Sequence, residues 1–275
     1  MKHFFTTETA DFQGLQFITV KSKALKKRAD ITVFDPLSKN DILSDLPLVI
    51  LLHGVYGSHW AWAMKGKVQK TLQKLVNEGK VKPMILAMPS DGLFGDGSAY
   101  VPHQTENYEH WIVEDVVAVV KEQVLKVSDA SPIFIAGLSM GGFGALRLGA
   151  KYPSVFSGFS GLSSITHFDQ MAQFVEDFKD LKDKALEKDG VFDWLLKNKA
   201  VLPPFRFDCG KSDILIAYNR QMHNDLTVHQ IPHTYEEFDG AHSWDYWGGH
   251  IGKTLIFFDS LLGRFNIKNI AQVNV

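Results

Sequence analysis

The sequence predicts an α/β fold with a mostly parallel, doubly wound sheet. Short apolar runs recur along the 275 residues, as is typical of strands that are buried on both faces. Segments with apolar residues near a 3.6-residue period lie between them and indicate helices. Strands that alternate with helices form parallel sheets, because each helix carries the chain back across the sheet. Residues 13–35 hold two strands with no helix between them, which predicts an antiparallel pair at the start of the sheet.

The predicted strands are short and rich in apolar or β-branched residues. They are residues 15–20, 31–34, 48–52, 84–88, 133–136, 205–207 and 233–238. The clearest predicted helix covers residues 108–127, where six apolar side chains fall on one face and acidic and lysine side chains fall on the other. Together these elements predict one α/β domain over residues 1–275.

One highly charged stretch, residues 168–202, interrupts the alternation of strands and helices. Charged side chains are interleaved there with aromatic and aliphatic ones, which predicts one or two amphipathic helices inserted between strands. Such an insertion is expected to form a small cap over the active site. A solvated surface helix without a gating role explains the same pattern equally well.

The composition excludes several classes of function. Twenty-nine basic and thirty-one acidic residues leave a net charge of -2, so no overall field attracts nucleic acid or anionic lipid. Cys209 is the single cysteine, which excludes an internal disulfide. The first residues lack the apolar core of a secretory signal, and the longest apolar run, residues 46–52, is too short to span a bilayer. We therefore expect a cytoplasmic protein with no membrane or nucleic-acid partner, while assembly into a homo-oligomer stays open.

Residues 137–141, Gly-Leu-Ser-Met-Gly, match the G-x-S-x-G turn that places a serine hydroxyl above a sheet. The pattern alone arises by chance in roughly one unrelated chain of this composition in ten. Here it follows a predicted strand, residues 133–136, and opens a helix of small residues, as the turn requires. The strained turn and the close packing of helix on strand both exclude a β-carbon at the flanking glycines. Ser139 is therefore the predicted nucleophile.

The predicted oxyanion hole consists of two backbone amides. The strand at residues 48–52 ends in a His-Gly turn, from which the amide of Val55 can point toward Ser139. The amide of Met140, next to the serine, supplies the second donor. His53 in the same turn is interpreted as a histidine that bonds nearby backbone and shapes the loop.

A serine hydroxyl needs an imidazole to accept its proton and a carboxylate to orient that imidazole. His242 is the predicted base among the 11 histidines, because it lies in a glycine-containing loop between the last predicted strand and a C-terminal helix. His250 is the best alternative. Asp213, in the loop after residues 205–207, is the predicted acid, with Asp208 as its rival. Asp239 is interpreted as a residue that shapes the histidine loop.

Aromatic residues cluster in loops that follow strands, where open α/β sheets bind their substrates. They are Tyr56, Trp60, Trp62, Phe94, Tyr100, Trp244 and Trp247. Tyr56, Trp60 and Trp244 are the candidates for an acyl or aryl pocket, although core packing explains any one of them individually.

The chain resembles the esterase D branch of serine α/β-hydrolases, which includes tributyrin esterases, feruloyl esterases, S-formylglutathione hydrolases and mycolyltransferases. The matching segments are residues 51–54 (LLHG), 88–90 (MPS), 134–145 (FIAGLSMGGFGA), 209–213 (CGKSD) and 240–244 (GAHSW). The resemblance implies the α/β-hydrolase fold, a triad of Ser139, Asp213 and His242, a carboxylic ester substrate, and neither a metal nor an organic cofactor.

Departures from the family patterns narrow the expected activity. Residues 55–57 are Val-Tyr-Gly, where S-formylglutathione hydrolases carry Leu-Thr-Cys. Mycolyltransferases are exported, whereas the first residues of this chain lack the apolar core of a secretory signal. The chain is more similar to tributyrin-type and feruloyl-type esterases. We expect a serine carboxylesterase that hydrolyses esters of small or aryl alcohols through an acyl-enzyme. Three alternatives stay open: an acyltransferase with the same acyl-enzyme, an S-formylglutathione hydrolase-like thioesterase, and a non-catalytic binding protein on this scaffold.

Overall fold

The computed structural model describes residues 4–37 and 43–264, and over this part of the chain the core is a nine-stranded sheet. The strands are β1 (Phe4–Phe12), β2 (Leu15–Ser22), β3 (Arg28–Phe34), β4 (Leu48–Leu52), β5 (Ile85–Pro89), β6 (Ile133–Leu138), β7 (Gly158–Leu162), β8 (Phe205–Gly210) and β9 (Thr234–Phe238). Their spatial order is β1-β2-β3-β5-β4-β6-β7-β8-β9. The pairs from β5 to β9 are parallel, whereas β1, β2 and β3 are antiparallel to their neighbours. The predicted fold class is confirmed.

The helices connect the strands along both faces of the sheet. They are α1 (Ala61–Met64), α2 (Val68–Asn77), α3 (Tyr108–His110), α4 (Val117–Gln123), α5 (Met140–Lys151), α6 (Phe178–Lys184), α7 (Val191–Lys197), α8 (Ile216–Val228) and α9 (Trp244–Leu261). A π-helical segment, Trp111–Val116, joins α3 to α4, and 3-10 turns cover Phe168–Gln173, Lys199–Val201 and Leu262–Arg264. Among the described residues, no helix combines the length and the apolar character that a bilayer span requires.

The two faces of the sheet each pack against a separate apolar layer. Successive residues of a strand point to opposite faces, so Val49 and Leu51 of β4 enter one layer while Ile50 enters the other. The Val49 layer includes α2 and α9, and the Ile50 layer includes the helical segment 108–123, α5 and α8. Burying one large apolar side chain contributes about 1.5–3 kcal/mol, so these two layers supply the main driving force for folding.

Two strands were not predicted from the sequence, and one helix is shorter than predicted. Strand β1 is largely polar, and β7 reads Gly-Phe-Ser-Gly-Leu, which carries little β-propensity. Strand β7 forms because it lies between β6 and β8 in the sheet. The helix predicted over residues 108–127 ends at Gln123, since Val124 adopts extended backbone and the Lys126 carbonyl then accepts a hydrogen bond from the Leu46 amide.

The insertion, residues 168–202, contains α6 and α7, as its amphipathic pattern predicted. An ion-pair network connects it to α5, the helix that begins directly after Ser139. The fully buried Arg147 of α5 lies 2.6 Å from Glu109 and also contacts Glu187 of the insertion. Burial would raise the pKa of Glu109, but Arg147 and Lys151 together lower it. The expected domain of residues 1–275 includes residues 1–3, 38–42 and 265–275, which lie outside the described part of the chain.

Candidate active site

Ser139 occupies a strained turn between β6 and α5. Its backbone has φ 53° and ψ -118°, a conformation that residues with a side chain rarely adopt. The residue is only 2% exposed, but its side chain contributes to the wall of a surface cavity. Such strain persists only where the surrounding structure enforces it, which is typical of functional sites.

The glycines on either side of Ser139 allow this turn, as the sequence predicted. A β-carbon at Gly137 would lie 2.1 Å from the carbonyl oxygen of Gly141. A β-carbon at Gly141 would lie 2.3 Å from the carbonyl oxygen of Leu52 and 2.5 Å from that of His53. Because these contacts are with backbone atoms, no side-chain rotation can relieve them.

Gly141→Ala is therefore expected to lower the free energy of unfolding by about 3 kcal/mol, at the upper end of typical overpacking costs. Gly249→Ala is the matched control, because Gly249 is also helical but a β-carbon there meets no atom within 4 Å. Alanine has the higher helix propensity, so the control is expected to be neutral or stabilising. Denaturant unfolding of both variants measures the difference, and equal stability of the two would contradict the role assigned to Gly141.

Ser139, His242 and Asp213 form one hydrogen-bonded chain of side chains. The Nε2 atom of His242 lies 3.0 Å from the Oγ atom of Ser139, and Nδ1 lies 3.0 Å from each carboxylate oxygen of Asp213. Asp213 is buried, and its Oδ1 also accepts a hydrogen bond from the Leu215 amide. With the Nδ1 proton donated to Asp213, Nε2 is free to accept the serine proton.

A cavity of about 430 Å³ opens in front of Ser139 and His242. Tyr56, Trp60 and Trp244, the three predicted pocket residues, lie in its wall. Of the other aromatic residues in these loops, Trp247 also lines the cavity. Trp62 and Tyr100 are buried in the core, and Phe94 packs against His103. In the described part of the chain, no group of three or more histidine, cysteine or acidic side chains is arranged to hold a metal ion.

A family model described as putative esterase matches residues 22–258, which is most of the chain. The chain belongs to the putative esterase family. It is a carboxylic ester hydrolase. The position of the site, on loops at the carboxyl ends of parallel strands, is where open α/β sheets bind their substrates.

Individual relatives of this esterase cover nearly its whole length. An acetyl esterase from Caldicellulosiruptor saccharolyticus is 27% identical over 262 residues, covering 85% of this chain and 94% of the relative. A ferulic acid esterase structure superposes with a TM-score of 0.76 at 23% identity, covering 93% of this chain and 99% of the other. An S-formylglutathione hydrolase structure from Staphylococcus aureus has a TM-score of 0.74 at 20% identity, covering 92% and 99%. At 23% and 20% identity, these two superpositions establish the fold of this chain.

The rivals of the triad residues have other structural roles in the esterase. Asp208 is buried 2.8 Å from Arg206 and accepts a hydrogen bond from Tyr246. Asp239 lies at the surface in an ion pair with Lys211. His250 stacks on Phe238 within α9, with ring centroids 4.6 Å apart. None of these side chains contacts Ser139 or His242 in the described part of the chain.

His53 shapes the loop between β4 and the cavity. Its Nδ1 lies 2.7 Å from the Gly54 carbonyl oxygen, and its Nε2 accepts a hydrogen bond from the Asp91 amide. Burial lowers the pKa of His53, so the neutral imidazole is favoured, with Nδ1 as donor. This geometry agrees with the interpretation that His53 bonds nearby backbone.

The loop with Val55 packs closely on the turn at Ser139. A β-carbon at Gly54 would lie 2.8 Å from the Leu138 side chain and 3.4 Å from the β-carbon of Ser139. Val55 lines the cavity, and Met140 is the first residue of α5. The first amides of a helix have no partner within the helix, so the Met140 amide can serve an external acceptor.

Phe174, in the insertion, is a cavity residue that the sequence did not reveal. Its ring stacks on the imidazole of His242, with centroids 5.4 Å apart and planes 25° apart. The Tyr56 hydroxyl donates a hydrogen bond to the Phe174 carbonyl oxygen, and the Glu176 amide donates one to Asp96. Residue 174 is separated from the triad residues along the chain, and no motif marks it. Only the tertiary packing of the insertion brings it to the site.

Proposed function

We propose that Ser139 is the nucleophile, His242 the general base and Asp213 the orienting acid of a carboxylesterase that works through an acyl-enzyme. The observation that carries this proposal is the unbroken hydrogen-bonded chain from the Ser139 hydroxyl through both ring nitrogens of His242 to Asp213. A serine hydroxyl is a weak nucleophile at neutral pH, and such a chain provides the acceptor for its proton.

The reaction follows from this geometry. Ser139 Oγ attacks the ester carbonyl while His242 Nε2 takes its proton, and the amides of Val55 and Met140 stabilise the tetrahedral oxyanion. His242 then protonates the leaving alcohol, which leaves the acyl group on Ser139. Water attacks this ester with His242 again as base, and the acid is released. Asp213 stabilises the imidazolium at both stages.

We propose that the substrates are carboxylic esters of small or aryl alcohols and that their acyl group is also small or aryl. The cavity of about 430 Å³ lies in the size range of small-molecule sites, and five of its wall residues are aromatic. They are Tyr56, Trp60, Phe174, Trp244 and Trp247. The relatives described above are named for acetyl and ferulic acid esters, which are a small and an aryl acyl group.

A panel of esters tests this substrate class. We expect para-nitrophenyl acetate and methyl ferulate to be hydrolysed with higher kcat/KM than para-nitrophenyl palmitate, because a long chain exceeds the cavity. A preference for the palmitate would contradict the proposal. Adding methanol or glycerol and measuring free acid against new ester separates hydrolysis from acyl transfer, and hydrolysis is expected to dominate.

Phe174→Ala is expected to lower kcat/KM for methyl ferulate by about 2- to 10-fold, the loss typical of one aromatic contact. The effect on ethyl acetate should be smaller, because that ester has no aromatic ring that could stack on residue 174. Phe178→Ala is the matched control, since Phe178 belongs to the same insertion but packs on Phe168. An equal loss for both esters, or for both variants, would exclude a specific contact of Phe174 with the substrate.

We propose that the enzyme acts in the cytoplasm on diffusible esters, without a nucleic-acid or membrane partner. Cys209 is the single cysteine, so the chain has no internal disulfide that would need an oxidising compartment. Burial also raises the pKa of its thiol, which makes the thiol less reactive. The net charge of -2 provides no general attraction for polyanions. Fractionation of cells that express the chain tests this location, and recovery with the membrane fraction would contradict it.

A further inference from the structure

A second groove, of about 380 Å³, adjoins the active-site cavity. The two share Lys65 and Trp244, which line both. The Nζ atom of Lys65 lies 6.0 Å from the centre of the Trp244 ring, so this pair marks the boundary between them. A substrate that extends past Trp244 from the active-site cavity would therefore enter the groove.

Four lysines line this groove: Lys65, Lys67, Lys70 and Lys74. The last three are spaced by three and four residues at and within α2, so they lie on one helix face. The opposite wall comes from the start of α9, where Gly248 and Gly249 carry no side chain that would fill the space. Asp245 is the one acidic residue among the groove-lining residues that the structure describes.

The positive charge of the groove is largely uncompensated. Among the described residues, no carboxylate lies within 4.0 Å of Lys65, Lys67 or Lys70, and Lys74 reaches only Glu78, at 3.9 Å. The first turn of α2 contains no acidic residue, although acidic residues would be favoured at the positive end of the helix dipole. This concentration of like charge stands out in a chain of net charge -2. The repulsion among these lysines disfavours the first turn of α2. A bound anion would offset this repulsion.

We propose that this groove binds an anionic group of the ester substrate, a carboxylate or a phosphate, while the ester carbonyl lies at Ser139. The inference rests on the proposed esterase function and specifies its substrate class. The lysines act by charge, since exposed ammonium groups attract an anion through solvent and retain it by short hydrogen bonds. The preferred substrates are then esters with a negatively charged extension on either the acyl or the alcohol side.

Matched pairs of charged and neutral esters test this inference on both sides of the ester bond. On the alcohol side, para-acetoxycinnamate is compared with its uncharged primary amide, para-acetoxycinnamide, which has the same single ester bond. On the acyl side, the para-nitrophenyl monoester of suberic acid is compared with para-nitrophenyl octanoate. For each pair, the ratio of kcat/KM for the anionic ester to that for the neutral ester is measured in the wild-type enzyme and in a K67Q/K70Q/K74Q variant.

For at least one pair, the triple variant is expected to lower this ratio by about fivefold or more, which corresponds to a few tenths of a kcal/mol or more per exposed lysine. The ratio in the wild type should also fall as salt is raised from about 0.02 M to about 0.5 M, because the screening length then shrinks from roughly 20 Å to roughly 4 Å. K23Q/K188Q/K199Q is the matched control, because it removes the same charge at exposed sites outside the groove.

An unchanged ratio for both pairs would overturn the inference, and so would an equal decrease in the control variant, which would indicate a general charge effect. The neutral esters separate this outcome from a failure of the esterase function itself. If the wild-type enzyme hydrolyses neither neutral ester nor para-nitrophenyl acetate, the proposed function fails. If the neutral esters are turned over and only the ratio is insensitive to the lysines, the groove inference alone fails.

Discussion

Ser139→Ala is expected to lower kcat for para-nitrophenyl acetate by about 10⁶-fold, the loss found when a triad nucleophile is removed. The physical reason is the position of the hydroxyl, whose oxygen lies 3.0 Å from the only ring nitrogen of His242 that is not engaged with Asp213. Without that oxygen no acyl-enzyme can form, and water attacks the ester with help only from the oxyanion amides and from binding.

Ser260→Ala is the matched control for this prediction. Ser260 lies on the exposed side of α9, and among the described residues its hydroxyl bonds only the Phe257 carbonyl, so its loss should leave turnover unchanged. A fluorophosphonate probe should label the wild type and Ser260→Ala but not Ser139→Ala. The melting temperature of each variant shows whether it is folded. A folded Ser139→Ala protein that keeps its turnover or is still labelled would reject Ser139 as the nucleophile.

Asp213→Asn is expected to lower kcat by about 10⁴-fold while KM changes little. Nδ1 of His242 lies 3.0 Å from both carboxylate oxygens of Asp213. Because a carboxylate only accepts hydrogen bonds, this geometry favours the tautomer with its proton on Nδ1 and with Nε2 free toward Ser139. An amide can donate to Nδ1 instead, which places the imidazole proton on Nε2 and blocks proton transfer from the serine. The loss of kcat should be measured across pH, because the amide, unlike the carboxylate, does not stabilise the protonated imidazolium of His242.

Asp239→Asn is the matched control, because Asp239 is closer to His242 in sequence but lies at the surface beside Lys211. Its kcat is expected to stay within about twofold of wild type, because an ion pair that is fully exposed to solvent contributes little. A large loss of kcat in Asp239→Asn together with normal turnover in Asp213→Asn would identify Asp239, and not Asp213, as the orienting acid.

Local sequence was informative wherever a structural requirement acts over a few neighbouring residues. The fully buried strands β4 and β6 are continuous apolar runs, so their burial on both faces could be predicted. The turn at Ser139 could be predicted because its glycines lie within one short motif, in which a β-carbon at Gly137 would come 2.1 Å from the Gly141 carbonyl oxygen. Strand β7 could not be predicted, because Gly158 and Gly161 lower its propensity and its place depends on the strands beside it.

The sequence by itself determined the α/β class, the strained serine turn and the esterase family, because each depends on short-range patterns of burial and backbone freedom. Only the tertiary structure decided which acid contacts His242, because Asp208 and Asp213 are only five residues apart in the sequence. In the fold, Asp213 contacts the imidazole, whereas Asp208 contacts Arg206 and Tyr246. It also placed Phe174 on the imidazole and joined the lysine groove to the cavity. These features arise where segments distant in the chain pack together, and no local pattern encodes such contacts.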